Sequence, residues 1–173
     1  MKVGFYQFDV APGLPEKNLQ SIEQGTLGLD VELLVLPELC TSGYLMTSDE
    51  ALRLAIELPG DGIEPFVRIA RRLDAWLLAG VLERRADKLY NTTVIVGPDG
   101  WRGSQRKVHL TTLERSVFAG GEAFQVFDLG VARVGVITCF DAWFPEASRQ
   151  LVRGGAQLLL LTSTLRRRTT RLT

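Results

Sequence analysis

Glu38, Lys107 and Cys139 are the residues of this chain whose type and placement together point to chemistry. Cys139 closes the run Val134-Gly-Val-Ile-Thr-Cys-Phe-Asp141, in which β-branched and apolar residues read as a buried strand. Ala142-Trp-Phe-Pro-Glu146 then leads into a helix, with Pro145 suited to its first turn. A strand-to-helix turn holds a side chain out of the sheet and aims backbone N–H groups at whatever that side chain attacks, as nucleophilic acyl chemistry requires. Glu38 is the first charged group after the apolar Leu33-Leu-Val-Leu-Pro, and Lys107 follows the strand-like Trp101–Arg106. Strand ends at one edge of a sheet converge on a site even when far apart in sequence.

A carboxylate, an ammonium and a thiol at one place suit attack on an amide. An amide carbon is a poor electrophile, so a thiolate is a better attacker than water. An ordinary cysteine thiol, with a pKa of about 8.5, is mostly protonated at neutral pH and needs a base. Glu38 is the candidate base. The tetrahedral oxyanion would be met by Lys107 and by the backbone N–H of Phe140, just past the nucleophile. Glu38 in its acid form would protonate the leaving amine and then activate water against the thioester. The alternative for Cys139 is a buried cysteine that packs as a small hydrophobe.

The elements that must position these groups alternate along the chain. Strands are predicted over Lys2–Phe8, Val31–Leu36, Ala75–Leu82, Tyr90–Val96, Trp101–Arg106, Phe124–Asp128, Ala132–Thr138 and Ala156–Thr162. Helices are predicted from Pro15 to about Gly28, from a Ser48 or Asp49 cap to Leu54, over Glu64–Leu73, where Phe66, Val67, Ile69, Ala70 and Leu73 recur at helical spacing, and over Pro145–Arg153. Gly97-Pro-Asp-Gly100 and Gly130 mark hairpins, and Gly154-Gly155 stops the last helix. Mixed β/α alternation with hairpins predicts an α/β fold with helices packed on sheets.

Composition narrows the function classes. At 173 residues the chain is one domain by size, and 46% apolar residues are enough for a sizeable core. Twenty basic and twenty acidic residues balance, so no electrostatic case exists for nucleic acid or an anionic membrane. The Arg166–Arg171 cluster lacks interleaved aromatics and reads as a solvated tail. No apolar run reaches the ~18 residues of a membrane span. The start of the chain reads as a strand and not a signal peptide. Two cysteines, Cys40 and Cys139, fit a reducing compartment, so the expected location is cytoplasmic. A single histidine, His109, without clustered cysteines makes no zinc site, and no metal is expected.

The three segments resemble, in order, the signatures of the nitrilase superfamily of carbon–nitrogen hydrolases. Leu36-Pro-Glu38 is similar to the family's glutamate motif, Arg106-Lys107-Val-His-Leu110 to its lysine motif, and Gly135-Val-Ile-Thr-Cys139-Phe-Asp with Phe144-Pro-Glu146 to its cysteine motif. Leu89-Tyr-Asn-Thr92 and Phe118-Ala-Gly-Gly121 look like further landmarks. The resemblance implies one half of a four-layer α-β-β-α sandwich, C-terminally shortened. Residues 1–162 form an incomplete hydrolase domain, and an Arg-rich tail over 163–173 departs from the family. It also implies a cofactor-free hydrolase that cleaves a non-peptide C–N bond of a small linear amide or carbamoyl compound. Catalysis falls to Glu38, Lys107 and Cys139. Nitrilases proper usually follow the cysteine with Trp-Glu, and Phe140-Asp141 looks like the amidase-type branches.

Further candidates surround these three. Family members often carry a second glutamate after the lysine that orients the lysine or substrate. Glu114 is the candidate here, with a solvated side chain as the alternative and Glu122 as a rival. Tyr44 and Trp143 could line a pocket or belong to the core. Cys40 reads as a small buried residue, and His109 as a packing or hydrogen-bonding residue beside Lys107. The helix after the nucleophile usually pairs with its twin in the family, so a homodimer or higher homo-oligomer is expected. Two competing readings are a catalytically inactive, oligomerising or binding remnant and a thiol redox protein. The second is disfavoured by the absence of Cys-x-x-Cys.

Overall fold

The computed structural model describes residues 1–44 and 47–164. Positions 165–173, most of the expected tail with its arginine cluster, lie outside the described residues. Among the described residues nine strands form two sheets. The first contains β1 (Val3–Phe5), β2 (Leu33–Val35), β3 (Ile56–Glu57), β4 (Trp76–Arg85), β5 (Lys88–Gly97) and β6 (Gly100–Arg106). Its order is β1-β2-β4-β5-β6, with β3 alongside β4. β1, β2 and β4 run parallel, while β4–β5 and β5–β6 are antiparallel hairpins. The second sheet is β7 (Val126–Asp128), β8 (Arg133–Thr138) and β9 (Leu158–Thr162), antiparallel then parallel.

Period-two alternation divides the apolar residues between two cores. Leu34, Leu36, Leu77, Ala79, Val81, Val94 and Val96 face helices α1 (Pro15–Gly25) and α3 (Glu64–Leu73), meeting Ile22, Phe66, Val67, Ile69 and Ala70. Their neighbours Leu33, Val35, Leu78 and Ile95 face the second sheet and pack on Phe127, Val134, Val136 and Leu160. The outer face of that sheet carries helix α4 (Pro145–Arg153), whose Leu151 lies so close to Gly135 that a Cβ there would sit 2.8 Å from it. The layers therefore read α-β-β-α, as the sequence resemblance implied.

The predicted strands and helices are present, with local differences, and the short β3 has no counterpart among them. β4 and β5 run on to Arg85 and Lys88 around a tight turn in which Ala86 has φ 53. That turn carries no Gly or Asn signal, so the sequence reading stops both strands early. Helix α2 (Ser48–Leu54) is capped by Thr47, not by Ser48 or Asp49: the Glu50 N–H donates to Thr47 Oγ1 at 3.3 Å and the Thr47 N–H to Glu50 Oε2 at 2.8 Å. Among the described residues no helix is long and apolar enough to cross a membrane.

Candidate active site

β2, β6, β8 and β9 all deliver their C-terminal ends to one edge of the sandwich. Glu38, Lys107 and Cys139 stand just past the first three, and Ser163 and Thr164 just past β9, beyond the boundary at 162 drawn from sequence. After β2 the chain keeps contact with β4: Leu36 N–H donates to Leu78 O, Gly80 N–H to Pro37 O, and Cys40 N–H to Gly80 O. Glu38 and Leu39 bulge out between the last two contacts, and Leu39 has φ 46. Gly80 makes the approach possible. A Cβ there would lie 2.6 Å from Glu38 Cα and closer still to Leu39 N and Pro37 O.

Lys107 is fully buried between two carboxylates. Its Nζ donates to Glu38 Oε1 at 2.8 Å and to Glu114 Oε1 at 2.7 Å. Asn91 on β5 bridges the same two atoms, with Nδ2 at 2.8 Å from Glu38 Oε1 and 3.3 Å from Glu114 Oε1. Thr164 closes the other side of Glu38: its N–H donates to Oε2 at 2.9 Å and its Oγ1 to the Glu38 carbonyl at 2.6 Å. Glu114 Oε2 accepts the Thr111 N–H at 2.8 Å. Among the described residues no buried side-chain nitrogen or oxygen lacks a partner, so this polar network is satisfied throughout. Burial works against the Lys107 charge, but Glu38 and Glu114 outweigh it and hold the ammonium above its ordinary range.

Cys139 is partly buried and has φ 45, a left-handed conformation rare for a residue with a side chain. It opens the short 3₁₀ turn Cys139–Trp143, so the Phe140 N–H lies in a first turn, where amides have no partner within the turn. Burial pushes the thiol up, and the Glu38 carboxylate adds to this. The Ser163 hydroxyl and the Lys107 charge pull the other way. The net rise means that the resting side chain is a thiol, whose proton must go to a base as it attacks. Cys40 is fully buried and pushed up to about 12 by that burial, which makes it inert as a nucleophile.

The structure thus groups Glu38, Lys107 and Glu114 by hydrogen bonds, with Cys139 near enough to feel the Glu38 and Lys107 charges, while the exposed Glu122 makes no ion pair with the lysine among the described residues. Tyr44 lies over the cluster, its ring 5.8 Å from Lys107 Nζ and its hydroxyl 3.5 Å from Thr111 Oγ1. Trp143 is 79% exposed, so it is not a pocket wall in this structure: a 3₁₀ turn carries its side chain away from the cluster. Sequence reasoning missed Ser163 and Thr164, and it gave Asn91 and Asp141 no role of their own although both lie in segments quoted for the resemblance. A buried Asn inside an apolar strand was the signal for Asn91. The Thr111-x-x-Glu114 spacing was a usable signal for the fixed Glu114 carboxylate.

Residues 2–171 match the family model described as carbon-nitrogen hydrolase. A nitrilase of Pyrococcus abyssi is 37% identical over 165 residues, covering 92% of this chain and 63% of that protein. An (R)-stereoselective amidase of a Pseudomonas species is 34% identical over 134 residues, covering 78% of this chain and 48% of its own length. The chain therefore spans about half to two thirds of these relatives. The solved carbon-nitrogen hydrolase of Helicobacter pylori G27 superposes with a TM-score of 0.86 at 24% identity, over 95% of this chain and 60% of that one, and supports the fold.

Proposed function

As this chain belongs to the carbon–nitrogen hydrolase family, we propose that it hydrolyses the C–N bond of a small linear amide or carbamoyl compound through a Cys139 thioester. The observation that carries this reading is the buried Glu38–Lys107–Glu114 cluster beside a partly buried thiol on a left-handed turn. Glu38 Oε1 already accepts two hydrogen bonds, so the proton from Cys139 goes to Oε2. The sulfur bonds to the carbonyl carbon, and the oxyanion is met by the Lys107 ammonium and the Phe140 N–H. The intermediate collapses, the C–N bond breaks, and Glu38 returns its proton to the departing nitrogen. Glu38 then takes a proton from water, the hydroxide attacks the thioester, the C–S bond breaks, and Glu38 returns that proton to the sulfur as the carboxylic acid leaves. Glu114 orients Lys107, and Tyr44 covers the substrate. No cofactor enters this scheme. The relatives include both a protein named nitrilase and one named amidase, and Phe140-Asp141 after the cysteine is what favours an amide over a nitrile. Two cysteines free of disulfides fit a cytoplasmic protein.

The test is to alkylate the folded protein with iodoacetamide, map the adduct and measure ammonia release from short aliphatic amides. An adduct on Cys139 with ammonia release is expected. An adduct on Cys40 and none on Cys139 would remove the assignment. An adduct on Cys139 without turnover would favour the second reading, a non-catalytic domain. The outer-face residues Leu159 and Leu161 of β9 favour that reading, being 37% and 50% exposed.

The same reading includes self-association through α4. Ala147 and Leu151 are buried against β8 and are unavailable to a partner. The outward face instead offers Glu146, Arg149, Val152 and Arg153, with Trp143 beside them, a mixed-charge patch that can meet its own copy across a two-fold axis. Light scattering at micromolar concentration is expected to give a dimer or larger homo-oligomer, and Trp143→Glu to shift it toward monomer. A wild-type monomer would overturn this.

A further inference from the structure

Asp141 joins the two halves of the site. It is fully buried in the turn that carries Cys139. Its Oδ2 accepts the Thr138 N–H at 3.3 Å, and its Oδ1 accepts the His109 backbone N–H at 2.7 Å and lies 2.9 Å from His109 Nδ1. A carboxylate only accepts, so Nδ1 carries the hydrogen of that bond. The His109 ring is held flat on Phe144, centroids 3.9 Å apart and planes 10° apart, with Phe124 at 5.9 Å. His109 is two residues past Lys107 at the end of β6, and Asp141 two residues past Cys139 at the end of β8. The bridge thus connects the lysine of one sheet to the nucleophile of the other, across 32 residues of sequence.

We propose that the His109 ring is a positioning residue, which acts through Asp141 to hold the Cys139 turn in register with Lys107 and Glu38. This rests on the thioester reading above, but neither His109 nor Asp141 is assigned contact with the reacting atoms. The requirement is geometric. The attacking sulfur, its base and the oxyanion donors come from different sheets, and a displacement of about 1 Å at such a site costs on the order of 10²-fold in rate. The His109 backbone N–H bond survives any substitution, so losing the ring bond loosens the turn without freeing it.

The hydrogen bond and the ring stack separate cleanly in two variants. His109→Phe keeps an aromatic ring for Phe144 and removes the donor. His109→Asn removes the ring and keeps an N–H donor in nearly the same place. The readout is the rate of Cys139 alkylation by iodoacetamide, which needs no knowledge of the amide substrate. Buried Cys40 is the internal monitor of unfolding. Cys139 alkylation is expected to slow by about 10-fold in His109→Phe and by no more than about 3-fold in His109→Asn, with Cys40 unlabelled in both. A rate in His109→Phe at or above wild type would overturn the proposal. So would a larger loss in His109→Asn, because the stack alone would then be what matters. Should His109→Phe not fold, His109→Leu also lacks the donor and is judged by the same outcomes. If Cys139 of the wild type itself resists alkylation, it is the thioester reading that fails, a result distinct from any of these.

Discussion

In Glu38→Gln, turnover of a small amide falls by at least about 10²-fold while the fold survives. Glutamine has the shape of glutamate, and its carbonyl oxygen can take the place of Oε1, still accepting from Lys107 Nζ and Asn91 Nδ2. Lys107 keeps Glu114 as counter-charge. What changes is the other atom: an NH₂ group replaces Oε2, cannot take the thiol proton, and faces the Thr164 N–H as donor against donor. One spoiled hydrogen bond of this kind costs on the order of 1–3 kcal/mol. For a chain of this size each kcal/mol moves the melting temperature by roughly 2–4 °C. A thermal melt beside an ammonia-release assay therefore separates the two roles. Unchanged turnover with a collapsed melting temperature would make Glu38 a structural anchor and remove the base from the mechanism.

The parts of this protein that were legible from sequence are those written locally. Glu38 and Cys139 stand out because each follows an apolar run at the point where a strand must end, and Lys107 because it follows the second arm of a predicted hairpin. α3 keeps its predicted limits because Pro65 and a strongly one-sided apolar pattern define it, and α4 because Pro145 and Gly154 bracket it. The parts that escaped depend on partners far away in the chain. Asn91 is a strand breaker by propensity, yet it is kept in β5 because both of its site partners are carboxylates arriving from other segments. Thr164 meets Glu38 across 126 residues. The exposure of Trp143 depends on which side of a 3₁₀ turn it emerges, and no period in the sequence encodes that. Asp141 reads locally as one more polar residue after a strand, and only the pairing of the two sheets brings His109 onto it.

Charge burial decides the last case. Lys107 is completely buried between two glutamates that are themselves 0% and 4% exposed. Lys107→Met is therefore expected to lose both rate and stability. Without the ammonium, Asn91 is the only side chain still donating to both Glu38 and Glu114 among the described residues, and it carries no charge. Removing one member of a buried ionic cluster typically destabilises by about 3–5 kcal/mol, because the charges left behind are uncompensated. The sign of the pH response follows. Binding a proton to either carboxylate relieves the repulsion, so the stability deficit of Lys107→Met relative to wild type should be smaller at pH 5 than at pH 8 in urea unfolding. Lys107→Met/Glu114→Gln removes one negative charge together with the positive one and should recover most of the lost stability. It should not recover turnover, which stays at least about 10²-fold down because the oxyanion still lacks its cation. A single variant as stable as wild type would mean that the cluster holds no net charge worth neutralising. A double variant that regained activity would show that the lysine serves only to keep two glutamates apart.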